Sequence, residues 1–196
     1  MKGHIFFILG VSWAGKWTLI GNIKALHLEN IHIPLSYKTR AIRENEVNGV
    51  DSWFISRADF FAWVQAWLFL EYALVHDLDY YGTKYEDVIE NGIEKWKTVI
   101  KELDVIGLQE LRKLRPDLDS SYTTIFLNIP EEVLKQRIAQ RWAFMSDEEL
   151  EKRLKSALFE EEQARVLCDH IIDATQSPQH VLDEVLEIIK NKWKSI

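Results

Sequence analysis

The stretch HIFFILGVSWAGKWT, residues 4–18, decides the reading of this chain. Its first half is a continuous apolar run closed by glycine, the pattern of a strand buried on both faces in a parallel sheet. Its second half sets Gly10, Gly15 and Lys16 at the spacing G-x-x-x-x-G-K, and Lys16 to His27 reads as a helix. Strand, glycine loop and helix, in that order, let backbone N–H groups cradle a phosphate while a lysine reaches its outer end. Trp13 and Trp17 disturb the pattern, because they bring the largest side chains into a loop that should be small. Trp17 also takes the place of the usual Ser or Thr after the lysine, so Thr18 is the hydroxyl left to stand near Mg²⁺. On these residues alone, a nucleotide site and a plain glycine turn with a solvated lysine both stand.

The 196 residues suit one globular domain. Hydrophobic residues make up 47% and charged residues 28%, enough for a sizeable core. The net charge of −7 argues against a sequence-independent grip on nucleic acid. A small anionic substrate needs only a few focused cations. Cys168 is the only cysteine, so no internal disulfide forms, which fits a reducing cytosol. The opening apolar run is too short to span a bilayer, and a cytoplasmic protein without membrane association is expected. No His/Cys cluster has metal-ligand spacing.

Further β-rich runs stand at 31–36, 98–104, 123–129 and 170–174, with Pro34 placing the first at an edge. Helical patterns fall at Tyr85 to Lys95, Leu108 to Leu114, Glu131 to Arg141, Asp147 to Leu167 and Pro178 to Trp193. Alternating strands and helices predict an α/β protein with a parallel sheet. DFFAWVQAWLFLEYALV (59–75) reads either as one long helix or as a short helix broken near Trp67 and followed by a strand.

SYKTRAIRENEVNGVD (36–51) is a polar, cation-rich loop. Two arginines three apart, Arg40 and Arg43, can clamp one phosphate through bidentate bonds. A solvated charged loop would look the same. Glu71, set in an apolar run, points more firmly to a function, because a lone buried carboxylate is costly.

Taken together, these segments resemble the guanylate kinase family. The 36–51 loop is similar to its GMP-binding segment, and FLEYALVHDLDYYGT (69–83) to its FLE…YGT stretch. ELDVIG (102–107) is similar to its acidic strand end followed by glycine. LKQRIAQR (134–141) and KRLKSALFEEE (152–162) resemble its lid and sensor arginines, and CDHIIDAT (168–175) its last strand.

The resemblance implies a P-loop NTPase core (1–34, 84–129 and 165–196), a GMP-binding insertion (35–83) and a helical lid (130–164). It implies transfer of a phosphoryl group from ATP to GMP with Mg²⁺, by a monomer or homodimer. Gly10, Val11, Ser12, Trp13, Ala14, Gly15, Lys16, Trp17 and Thr18 would hold the ATP phosphates. Ser36, Arg40, Arg43 and Tyr81 would hold the GMP phosphate, while Glu46, Glu71 and Thr83 read the guanine edge. Asp104 would stand near GMP, and with Thr18 near the Mg²⁺ shell. Lys16, Arg43, Arg137, Arg141 and Arg153 would neutralise the transferring phosphoryl group. Lys101, a cation inside a β-rich run, has no account on these terms.

The chain also departs from the family pattern. Ser52 stands where a tyrosine hydroxyl is expected, Ile42 for Pro, Asn45 for Gly and Ile106 for Gln. Trp13, Trp17, Trp67, Trp96 and Trp142 all stand at expected glycines, in a chain with 8 Trp and only 8 Gly. Gly and Trp codons differ in the first base, and UGA is read as Trp in some genetic codes and as Gly in others. One explanation is a gene whose UGA codons mean glycine. The competing one is a catalytically dead domain, its P-loop blocked, that binds GMP or a phosphopeptide.

Overall fold

The computed structural model describes residues 3–11, 13–75, 78–141 and 147–194. Strand β1 (His4–Gly10) is buried at every position. It lies in a five-stranded sheet with β2 (Ile31–His32), β7 (Thr98–Glu102), β8 (Tyr122–Asn128) and β9 (His170–Asp173), in the order β2-β7-β1-β8-β9. The β2/β7 and β8/β9 pairs are parallel. This is the α/β class with a parallel sheet that the apolar runs predict. Only Ile31 and His32 of the 31–36 run pair, because Pro34 has no N–H to give to a ladder.

The chain divides into two compact units, Met1–Ile5 with Glu29–Tyr122, and Phe6–Leu28 with Thr123–Ile196. The first carries a second sheet, β4-β3-β6-β5, built from β3 (Tyr37–Lys38), β4 (Trp53–Phe54), β5 (Phe69–Val75) and β6 (Asp79–Lys84). Helix α2 (Arg57–Gln65) precedes β5; its cap residue Ser56 accepts a bond from the Asp59 N–H at 3.0 Å. Of the two readings of 59–75, the broken one holds: the helix stops at Gln65 and the strand opens at Phe69. Phe60 stacks on Phe69 at 4.5 Å, fixing α2 over this sheet.

The expected helix from Tyr85 to Lys95 is instead one short turn, α3 (Tyr85–Val88), and a 3₁₀ turn (Ile93–Lys95). Gly92 lies between them with φ −110° and ψ −97°, outside the helical region, and Trp96 ends the segment left-handed. Helix α4 (Val105–Leu114) starts three residues before the expected Leu108, because the Asp104 side chain caps it through the Gly107 N–H at 2.6 Å.

The second unit holds α1 (Lys16–Ala25), α5 (Glu131–Arg141), α6 (Asp147–Leu167) and α7 (Pro178–Lys194). In α7, Val181, Val185 and Ile189 are buried at a spacing of four and form its inner face. Pro178 begins it, where a missing N–H costs nothing. Among the described residues, no helix is long and apolar enough to cross a membrane.

Candidate active site

The glycine loop lies in the second unit. Gly10 ends β1 with φ 154°, and a Cβ there would come within 2.8 Å of the Leu127 carbonyl oxygen. No larger residue fits against β8. Gly15 is left-handed at φ 98° and is the N-cap of α1, whose first N–H groups have no partner within the helix and receive no side-chain cap from Gly15. The Lys16 ammonium donates to the Gly10 carbonyl and, at 3.2 Å, to that of Val11. Arg137 on α5 donates to the Trp13 carbonyl at 3.0 Å and to the Ala174 carbonyl at 2.9 Å, tying the loop to the segment after β9. An open cavity of about 120 Å³ lies beside the loop, lined by Gly15, Thr18, Arg137, Ala174, Gln176 and Pro178. Ala174, Gln176 and Pro178 are additions to the predicted set; nothing in their local sequence marks them.

Trp17 lies in the first turn of α1 and is 58% exposed, so its indole does not press into the core. Trp13 has φ 73°. Among the described residues, four non-glycine positions have positive φ: Trp13, His27, Trp67 and Trp96. Three of the five tryptophans that replace expected glycines therefore adopt the backbone region that favours glycine. Trp17 does not. Ser12, Trp142 and the side chains of Arg141 and Arg153 lie outside the described residues.

The remaining predicted residues gather in the first unit. Arg40 binds Glu46 in bidentate fashion at 2.5 and 2.6 Å, and both side chains are mostly buried. Its Nε donates to the Tyr81 hydroxyl at 3.0 Å, and one further N–H goes to the Ala41 carbonyl. Four of its five N–H donors are thus occupied, and its fork is closed on Glu46 instead of open for a phosphate. The Arg40 guanidinium holds the Glu46 carboxyl down at about 2. Arg43 is exposed, and its backbone N–H caps Glu46 at 3.0 Å. Ser52, standing for the missing tyrosine, is buried, and its hydroxyl donates to the Asp51 carbonyl at 2.7 Å.

Glu71 and Thr83 face each other across β5 and β6, both buried. A Cβ on Gly107 would lie 2.9 Å from Glu71 Oε2, so the glycine at the start of α4 is what admits this carboxylate. Burial raises the Glu71 carboxyl to about 7, against the opposing bond from Thr83. Burial likewise lowers Lys101, on β7, to about 8, with Glu71 and Glu102 pulling it back up. The Lys101 ammonium donates to Ser36 Oγ at 2.6 Å and to the Pro34 carbonyl at 3.3 Å.

A parallel sheet, a glycine loop opening a helix, and a separate cluster of the buried Glu71 with arginines and hydroxyls define a P-loop NTPase fold. The family model described as guanylate kinase matches residues 2–192. The guanylate kinase of Hahella chejuensis is 38% identical over 159 residues, 80% of this chain and 72% of that one. That of Helicobacter pylori is 34% identical over 170 residues, 86% and 78% of the two chains. A crystal structure of guanylate kinase from Anaplasma phagocytophilum superposes with a TM-score of 0.74 at 22% identity, covering 97% of this chain and 86% of that one. The chain belongs to the guanylate kinase family.

Proposed function

We propose that the protein transfers the terminal phosphoryl group of ATP to GMP, giving ADP and GDP, in the cytoplasm. The observation that carries this reading is the buried Glu71–Thr83 pair, in the same unit as Arg40, Tyr81 and Ser36. A buried carboxylate is costly unless something with N–H donors meets it. Guanine offers a ring N–H and an adjacent amino group; adenine lacks that pair. Glu46 is the second reader, and the hydroxyls of Ser36 and Tyr81 with Arg43 take the monophosphate. With four of its five donors in use, Arg40 contributes chiefly by setting Tyr81 and Glu46. Residues 35–83 form the GMP-binding insertion and 130–164 the lid.

ATP phosphates would lie on the Gly10–Thr18 loop, with the rest of the nucleotide toward the cavity at Ala174 and Gln176. Transfer requires Lys16 to leave the Gly10 and Val11 carbonyls for the outer phosphates. Arg137, Arg141 and Arg153 with Lys16 and Arg43 neutralise the charge of the transferring group. That is most of what such a reaction asks of a protein.

Among the described residues, no group of three His, Cys, Asp or Glu could hold a metal ion. Mg²⁺ needs no such group, because it binds through substrate phosphates and one or two protein oxygens. Thr18, exposed beside the loop, is a suitable oxygen; Asp104 has one oxygen committed to capping α4. When bound, Mg²⁺ supplies charge neutralisation at the phosphates.

Separate calorimetric titrations with ATP and GMP, followed by a turnover assay with each monophosphate, test the assignment. The enzyme binds both and phosphorylates GMP far faster than AMP. Binding of GMP alone, without turnover even after the Trp13 and Trp17 positions are restored to glycine, would leave a catalytically inert binding domain. Neither the fold nor the relatives favour that alternative. Arg43→Ala should weaken GMP much more than guanosine.

A further inference from the structure

Lys101 stands on β7 beside the buried Val99 and Ile100 and is itself only 2% exposed. An ammonium in that setting is expensive, and no packing requirement calls for one. Its hydrogen bonds show what it does. A lysine ammonium has three donors and no acceptor. Ser36 Oγ, at 2.6 Å from Nζ, must therefore accept, and the hydroxyl proton of Ser36 has to point elsewhere. The bond from Nζ to the Pro34 carbonyl at 3.3 Å holds the ammonium at the start of the same segment. The bond from the Trp53 N–H to the Ser36 carbonyl at 2.8 Å fixes that segment from its other side. The same device occurs at Tyr81, whose oxygen accepts from Arg40 Nε at 3.0 Å.

We infer that Lys101 is a positioning residue for the acceptor monophosphate, fixing Ser36 as a hydrogen-bond donor and placing a buried positive charge behind it. The inference rests on the reading that Ser36 meets the GMP phosphate. It implies that Lys101 contributes more to recognition of the phosphate than of the base, since its charge has only a minor influence on the Glu71 carboxyl. The charge also strengthens the Ser36 hydroxyl as a donor, since an oxygen that accepts from a cation gives up its own hydrogen more readily to an anion.

The test compares GMP and guanosine binding by calorimetry for the parent, Lys101→Met, Ser36→Ala and the double variant. The parent should prefer GMP. Lys101→Met should weaken GMP about tenfold or more, as for a lost charge-assisted contact, and guanosine less than about twofold. In the Ser36→Ala background, Lys101→Met should have a clearly smaller effect, the signature of one residue acting through another. An unchanged GMP-to-guanosine ratio in folded Lys101→Met overturns the inference, as does an equal loss for both ligands. Should Lys101→Met fail to fold, Ser36→Ala alone decides: a GMP-to-guanosine ratio equal to the parent's sinks the proposal. A parent that binds guanosine as well as GMP would overturn the reading of the site itself, and the inference with it.

Discussion

Arg40 and Glu46 are joined by two hydrogen bonds of 2.6 and 2.5 Å across a loop that also carries the exposed Arg43. The pair makes the loop a preset element. Its arginine faces inward on the glutamate and on Tyr81, and it carries an acid signature. Glu46 titrates near 2 in the folded chain against an ordinary 4.5, because of the Arg40 bonds. A depressed carboxyl pKa contributes stability that is complete above pH 4.5 and is lost as pH falls from there toward 2. Glu46→Gln should cost about 1–3 kcal/mol at pH 7. The gap in thermal midpoint between parent and variant should close as pH falls below 4.5. A gap that stays constant down to pH 3 would mean the carboxylate charge is not what the pair uses.

Glu71 carries the opposite sign. Burial raises its pKa to about 7, so the folded chain holds this proton more tightly than the unfolded chain does. Its contribution to stability is therefore full below about 4.5 and declines as pH rises through 7. Reading guanine needs the ionised form, so GMP affinity should rise over the same range. Glu71→Gln should flatten both pH dependences. It should also narrow the preference for GMP over AMP by about 1–3 kcal/mol, the cost of leaving buried donors unpaired. Calorimetric titrations of both nucleotides between pH 5.5 and 8 check this. Equal binding of GMP and AMP by the parent at pH 8 would remove Glu71 from base recognition.

How much of this was legible in the sequence depended on how far each pattern reaches along the chain. β1 could be read because its apolar run is continuous, short and closed by Gly10, and the loop after it because its spacing is local. β3 and β4 have two residues each, too few to show any alternation. Their partners come from β6 and from each other. Glu71 stood out as a carboxylate in an apolar run, and Lys101 as a cation in another. The Ser36 that explains Lys101 is 65 residues away, and no periodicity reports such a contact. The family resemblance implies that Arg40 and Glu46 are both ligand contacts. That they hold each other depends on the path of the loop between them.

In sequence, Arg137 resembles a lid arginine closing on phosphate. It binds two backbone carbonyls, those of Trp13 and Ala174, so it also braces the glycine loop. Arg137→Ala should lower stability by about 1–3 kcal/mol in chemical denaturation, in addition to weakening ATP. Arg137→Lys should recover little, because one ammonium on a flexible stem does not match the planar fork that spans both carbonyls. Full stability in Arg137→Ala, with only ATP binding reduced, would confine the residue to the nucleotide.

The tryptophans give the strongest prediction. Trp67 and Trp96 have φ of 57° and 62°, and they are 82% and 62% exposed. Neither indole buries enough to offset a left-handed backbone, which costs an L-residue roughly 1–2 kcal/mol. Trp67→Gly and Trp96→Gly should therefore each stabilise the chain by about 1 kcal/mol. Trp13 adds the same backbone cost inside the phosphate loop at φ 73°, so Trp13→Gly should raise ATP affinity as well as stability. Trp17 differs: its backbone is helical, and its exposed indole stands beside the loop, so Trp17→Gly should help ATP binding while slightly weakening α1. Sharing one backbone need, three of these positions look written for glycine, and the codons at 13, 17, 67, 96 and 142 are expected to be UGA in a gene that reads UGA as glycine. The fivefold glycine protein should melt higher and phosphorylate GMP faster than the chain with tryptophan. Five UGG codons, with no gain in melting temperature or turnover from the glycine version, would overturn this account and return tryptophan to the protein as a native residue.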